Sequence, residues 1–225
     1  MSAEPAERRD VPDATVARLP EYLRALRGFA ASGTLSVSSE DLALATGMSS
    51  AKVRKDLSHL GSHGVRGVGY DVNHLAAEIA DSLGLARDWS VAIVGMGNLG
   101  RAIAAYSGLA TKGLRVVALL DHDDSVTGDL VAGLPIRPMG DLPELVADGL
   151  AIGVITTPAS GAQEACDALV GAGVRAILNF APVVLTVPPG VTVRKVDLST
   201  ELQILAFHEQ RNAHDKRDSL QEVAR

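Results

Sequence analysis

The chain has a single cysteine, Cys166, among its 225 residues. That excludes an internal disulfide framework, argues against a thiolate zinc site and fits a reducing compartment. Aromatic residues make up 3% of the chain, so any core must be built from Ala, Val, Leu and Ile. No run of about 18 apolar residues occurs, which argues against a membrane-spanning helix. The segment Met1–Asp10 is charged and lacks the apolar stretch of a signal peptide. Internal repeats and low-complexity segments are also missing. What remains is a chain that is 47% hydrophobic with a net charge of −6. The composition supports a buried core. The net charge does not rule out nucleic acid, because binding depends on where the cations sit.

The apolar pattern divides the chain. Residues 1–12 are polar and read as a disordered tail. Helical spacing runs over 14–30, with Pro20 marking a start or a bend. Ser39 is expected to cap a short second helix that Gly47 ends. Ser49 or Ser50 caps a third, over about 50–60. A glycine-rich hairpin follows, then a helix over 72–85. From Trp89 onward, strand-like segments (91–95, 115–120, 151–156, 174–179, 192–197) alternate with helical ones (98–111, 141–147, 160–171). This alternation predicts βαβ units and a parallel sheet. An amphipathic helix is expected over 198–210, and a charged flexible tail over 211–225.

Within the second half, Gly95-Met96-Gly97-Asn98-Leu99-Gly100 follows the apolar run Val91–Val94 and opens an alanine-rich helix. A G-x-G-x-x-G loop is weak evidence alone and strong evidence between a strand and a helix. Gly95 permits the turn, Gly97 lets the backbone approach a pyrophosphate, and Gly100 lets helix and sheet pack closely. Asp121 ends the next apolar strand, about 20 residues further on, where an acid accepts hydrogen bonds from a ribose. An acid there repels a 2′-phosphate, so NAD(H) is expected over NADP(H). The bland alternatives are a glycine turn without a ligand and an Asp121 that caps a turn, since Asp123 and Asp124 follow.

The third expected helix, Ser49 to Leu60, turns Val53, Leu57 and Leu60 inward. Lys52, Arg54 and Lys55 then lie outside, with only Asp56 opposing them. With the preceding helix and the Gly47-Met48 turn, this gives helix-turn-helix spacing. The hairpin behind it carries Arg66 beside Gly67 and reads as a wing, Arg being suited to a narrow minor groove. The alternative is a solvated helix face.

These residues resemble the Rex family of redox-sensing repressors. The likeness rests on Ser50-x-x-Val53-Arg54-Lys55-Asp56-Leu57-Ser58, on Gly64-x-x-Gly67-x-Gly69-Tyr70, and on the loop Ile93–Gly100. Tyr106, the stretch Ile177–Pro182 and Val196-Asp197-Leu198 extend it from about Thr15 to about Phe207. The resemblance implies an α/β chain in five parts. After the tail come a winged-helix DNA-binding domain over 13–85 and a Rossmann-like NAD(H)-binding domain over 86–197. A helix over 198–210, swapped into a partner subunit, and a flexible tail over 211–225 complete it. It implies a cytoplasmic homodimer that binds a palindromic duplex operator and leaves it when NADH binds, with no metal. Gly95, Gly97, Asn98, Leu99, Gly100, Asp121, Thr156, Pro158, Asn179 and Tyr106 would serve the cofactor. Ser50, Lys52, Arg54, Lys55, Arg66 and Gly67 would serve DNA. Tyr106 and Asp197 would lie at the dimer and switch region. Some members carry an Arg where this chain has Asn98, so an ion pair from that position to Asp197 is not available here.

Two rival readings remain. An NAD-dependent oxidoreductase shares the second half, but the chain offers no clear catalytic set and little length for a substrate domain; His208 with Asp197 is the nearest acid–base pair. A protein-binding adaptor would leave the basic helix unexplained. Cys166 reads as a small core residue.

Overall fold

The computed structural model describes residues 11–62, 64–65 and 67–223, the side chains of 213–223 apart. The expected tail falls almost wholly outside the described residues. The chain forms two compact units that meet in sequence at Arg87 and Asp88.

The first unit contains α1 (Asp13–Val16), α2 (Leu19–Ala31), β1 (Ser36–Val37), α3 (Ser39–Thr46), α4 (Ser50–Leu60), β2 (Tyr70–Asp71) and α5 (Val72–Ser82). The single helix expected over 14–30 is two. Pro20 cannot donate to the carbonyl four residues back, which belongs to Val16, the last residue of α1. Ser38, not Ser39, caps α3: its hydroxyl accepts from Asp41 N, and the Asp41 carboxylate accepts from Ser38 N. This reciprocal box leaves Ser39 inside the first turn and buried. Ser49 caps α4. The core is aliphatic, from Leu23 and Leu26 of α2, Leu42 of α3, Val53 and Leu57 of α4, and Leu75 and Ile79 of α5, with Tyr22 its one fully buried aromatic. β1 and β2 pair antiparallel, and Val65 bridges Gly69 across the wing.

The second unit runs β3 (Trp89–Val94), α6 (Asn98–Ala104), β4 (Leu114–Asp121), β5 (Leu130–Val131), β6 (Leu134–Pro138), α7 (Leu142–Ala147), β7 (Leu150–Ile155), α8 (Ala159–Ala172), β8 (Ala176–Asn179), β9 (Thr192–Lys195) and α9 (Leu198–Val223). The sheet order is β5-β6-β4-β3-β7-β8-β9. All pairs are parallel except the β5–β6 hairpin. Ala92 and Val94 face one apolar layer, and Val91 and Ile93 face the other, so β3 is buried on both sides. Cys166 sits in the first of these layers, fully buried. From β3 the chain moves to β4 and β6 on one side, then crosses back through α7 to β7 on the other side of β3, so the strand order reverses there. That reversal opens a crevice beyond the strands' carboxyl ends.

Three elements differ from the sequence pattern. α6 stops at Ala104, and Ser107-Gly108 break what looked like a helix to 111. The β5–β6 hairpin lay hidden because Pro135 and Pro138 interrupt any strand signal. α9 continues to Val223 instead of ending at 210, and no Gly or Pro stands between those positions to stop it.

Candidate functional site

The crevice is built on the glycine loop. Gly95 has φ +97°, and a Cβ there would lie 2.8 Å from Thr157 N. Its amide donates to Leu120 O at 2.8 Å, which ties the loop to β4. The next amide, Met96 N, donates to Asp121 Oδ2 at 2.6 Å. Gly100 packs so closely on the carbonyl of Gly95 that a Cβ would collide with it. Thr156 Oγ1 donates to that same carbonyl at 2.6 Å. Gly97, by contrast, has open space where a side chain would project. Gly100 therefore serves packing, whereas no part of the described chain closes the space at Gly97.

A cavity of about 550 Å³ opens against this loop, lined by Gly95, Asp121, His122, Met139, Thr157 and Pro158 among others. Asp121 accepts twice from the chain, from Met96 N and, at 3.1 Å, from Asp123 N. His122 Nδ1 lies 3.2 Å from it. Asp121 thus caps its own turn, and it still faces the cavity. Asp124 and Glu164 also line the cavity, an acidic setting that disfavours a 2′-phosphate. Thr157 Oγ1 is buried without a hydrogen-bond partner. It is the one such side-chain atom among the described residues, and a ligand in the cavity would satisfy it. The sequence points only to its neighbour Thr156. The signal was only a pair of hydroxyls at a strand end, with nothing to say which faced the crevice.

Other expected cofactor residues stand elsewhere. Asn98 and Leu99 open α6. Tyr106 is largely exposed, its ring covering Gly108. Asn179 is buried, donating from Nδ2 to Val183 O and accepting at Oδ1 from Ala181 N. Its amide organises the loop after β8. Asp197 accepts from Ser199 N at 3.1 Å and Thr200 N at 3.3 Å, capping α9, and pairs with Lys195 at 3.0 Å. Hydrogen bonds from Ser199 and Lys195 hold its carboxyl well below the usual range.

On α4, Val53 and Leu57 are buried as expected, and Lys52, Arg54 and Lys55 are exposed. Asp56 does not oppose these cations. It turns inward, 2% exposed, because Arg18, Tyr22 and Thr15 all donate to it. The outer face is therefore more uniformly basic than the sequence suggested. Arg54 Nη1 donates to Ser39 Oγ at 2.9 Å and Glu40 Oε1 at 3.0 Å, which draws its guanidinium toward the start of α3. Ser50 is the first residue of α4, and Gly67 is exposed in the wing. Arg66 lies outside the described residues. Among the described residues no group of His, Cys, Asp and Glu could hold a metal ion, and no helix is long and apolar enough to cross a membrane.

Known proteins match both units of the chain. A family model for the N-terminus of putative DNA-binding proteins matches residues 10–58, and a CoA-binding-domain model matches 86–183. The redox-sensing transcriptional repressor Rex of Streptomyces griseus is 60% identical over 211 residues, covering 93% of this chain and 83% of that protein. Rex of Streptomyces avermitilis is 58% identical over 214 residues, covering 94% and 85%. Among solved structures, RSP, a Rex-family repressor, in complex with NAD⁺ and operator DNA matches at 30% identity. Its TM-score is 0.84, with 92% of this chain and 96% of that one covered. RSP in complex with NADH matches at 29% identity and a TM-score of 0.82, covering 92% and 98%.

Proposed function

The chain belongs to the Rex family of redox-sensing transcriptional repressors, and from that premise we propose how its residues divide the work. It is a repressor and not an enzyme, and NAD(H) is the ligand it senses. Gly95, Gly97 and Gly100 shape the loop that meets the pyrophosphate, Asp121 faces the adenosine ribose, and Thr157 joins the residues named from sequence. Lys52, Arg54 and Lys55 meet the operator through the major groove, with Ser50 at the helix start and Arg66 and Gly67 at the minor groove.

The observation that carries this reading is the coexistence, in one chain, of the acid-backed glycine loop and a helix whose outer face is basic. The domain limits proposed are 13–85 and 86–197, with the protein cytoplasmic and free of metal. A palindromic operator calls for two copies with recognition helices one DNA turn apart. α9 supports a homodimer, since Leu198, Leu202 and Leu205, which share one face of the helix, are each more than 60% exposed. Such an apolar stripe fits a second subunit better than water.

When bound, NADH presents a neutral nicotinamide where NAD⁺ presents a positive one. This difference can act on DNA only by favouring one dimer arrangement over the other. A near-complete switch requires about 5.5 kcal/mol of differential affinity. Operator DNA must then weaken NADH binding by the same factor. The test is duplex binding measured against the NADH:NAD⁺ ratio at fixed total nucleotide. Release should follow the NADH fraction; binding indifferent to that ratio refutes the reading.

A further inference from the structure

Apolar contacts hold α4 in the first unit through Val53 and Leu57. Such contacts are non-directional, so alone they leave the helix free to roll by small angles. A roll of about 20° moves a group about 6 Å from the axis by about 2 Å, which is enough to break a hydrogen bond.

Asp56 supplies direction on the buried side of the helix, where Arg54's bonds to Ser39 and Glu40 on the outer side do not reach. Its carboxylate takes four hydrogen bonds, two on each oxygen. Oδ1 accepts from Thr15 Oγ1 at 2.9 Å and Arg18 Nη2 at 2.6 Å. Oδ2 accepts from Arg18 Nε at 2.6 Å and Tyr22 O–H at 2.8 Å. The donors come from α1, from the break between α1 and α2, and from α2. The Tyr22 oxygen also lies 3.1 Å from Met48 Sδ, in the turn that joins α3 to α4. At about 100° per residue, Arg54 projects nearly opposite Asp56. Whatever fixes the plane of this carboxylate also fixes the bearing of Arg54.

We propose that Asp56, held two-pronged by Arg18, is a positioning residue for operator binding, setting the roll at which α4 presents Arg54 and its neighbouring lysines to DNA. The inference rests on reading α4 as the operator-binding helix. Stability alone does not explain the arrangement, because well-packed apolar residues generally replace a buried ion pair at no loss of stability. What they do not replace is orientation.

That distinction gives the test. A palindromic duplex enriched from a random pool on the wild-type protein is the probe. If the wild type enriches no duplex, the operator reading fails and this proposal fails with it. Given a duplex, the apolar replacement Arg18→Met/Tyr22→Phe/Asp56→Leu is compared with wild type. It should melt at or above the wild-type temperature and bind NADH equally well. It should bind the duplex about tenfold more weakly, with a shallower salt dependence because fewer phosphates are met. Arg18→Lys, which keeps the charge and removes the fork, is the second variant and stands in if the triple does not fold. It should lose duplex affinity at an unchanged melting midpoint. Duplex binding within about twofold of wild type in a variant that melts like wild type overturns the proposal, as does a loss that only tracks the unfolded fraction.

Discussion

The amide of Met96 and the carboxylate of Asp121 meet at 2.6 Å, so the acid that ends β4 holds the glycine loop that ends β3. Removing the acid therefore disturbs the loop as well as the ribose contact proposed for it. Asp121→Ala should weaken NADH binding by about 10- to 100-fold, the range for losing hydrogen bonds to a charged group. Asp121→Asn keeps one acceptor and should fall between. Calorimetric titration with NADH measures both; wild-type affinity in the alanine variant would remove Asp121 from the site.

Two glycines of the loop should fail in different ways. Gly100→Ala puts a methyl into the carbonyl of Gly95, so thermal stability should fall along with NADH binding. Gly97→Val meets open space and should fold normally while blocking the ligand. That variant should stay on DNA at NADH concentrations that release the wild type. Melting curves and gel shifts separate the two, and equal melting loss in both would contradict the assignment.

Arg54 is exposed and leans on Glu40 and Ser39. Arg54→Ala should lower operator affinity by about 1–3 kcal/mol and leave NADH affinity unchanged. Unchanged affinity in a gel shift would move the operator contact elsewhere.

Acid should loosen the first unit through Asp56. Burial alone would raise its carboxyl, but hydrogen bonds from Arg18, Tyr22 and Thr15 outweigh it and hold the carboxyl below its ordinary range. A group lowered in the folded state stabilises above its unfolded value, near pH 4, and loses that contribution as pH falls through the folded value. Melting followed by circular dichroism should show the wild type losing its advantage over Asp56→Asn below about pH 4. A constant gap down to pH 2 would mean the carboxylate charge is not what is felt.

Leu202 and Leu205 are 66% and 62% exposed on one side of α9. Leu202→Asp/Leu205→Asp should convert a dimer to monomers in sedimentation and weaken operator binding with it. A dimer surviving both changes would place the interface elsewhere.

Much of this was legible in the sequence. Periodicity located the parallel strands, and strand, glycines, helix and acid stood in register because chain-local chemistry fixes that motif. Asp56 was legible only in part. Val53, Asp56, Leu57 and Leu60 follow the inward spacing of a helix, yet a charge there reads as surface until its partner is known. That partner, Arg18, is 38 residues away in sequence, and only the folding of α2 and α4 around one shared apolar core brings it near. Thr157 stayed hidden because no local pattern tells which of two adjacent hydroxyls faces a cavity. β5 and β6 stayed hidden because the pairing of β6 with β4 on one side and β5 on the other overrides the two prolines.

The inward turn of Asp56 also bears on how the protein finds DNA. Neutralised inside by Arg18, it leaves α4 a face without a counter-charge of its own, while the larger part of the chain's net charge of −6 falls after Arg87. Duplex DNA attracts that face at long range, so the cations of α4 steer the encounter before any contact forms. That steering should raise the association rate at low salt and fade as the screening length shortens.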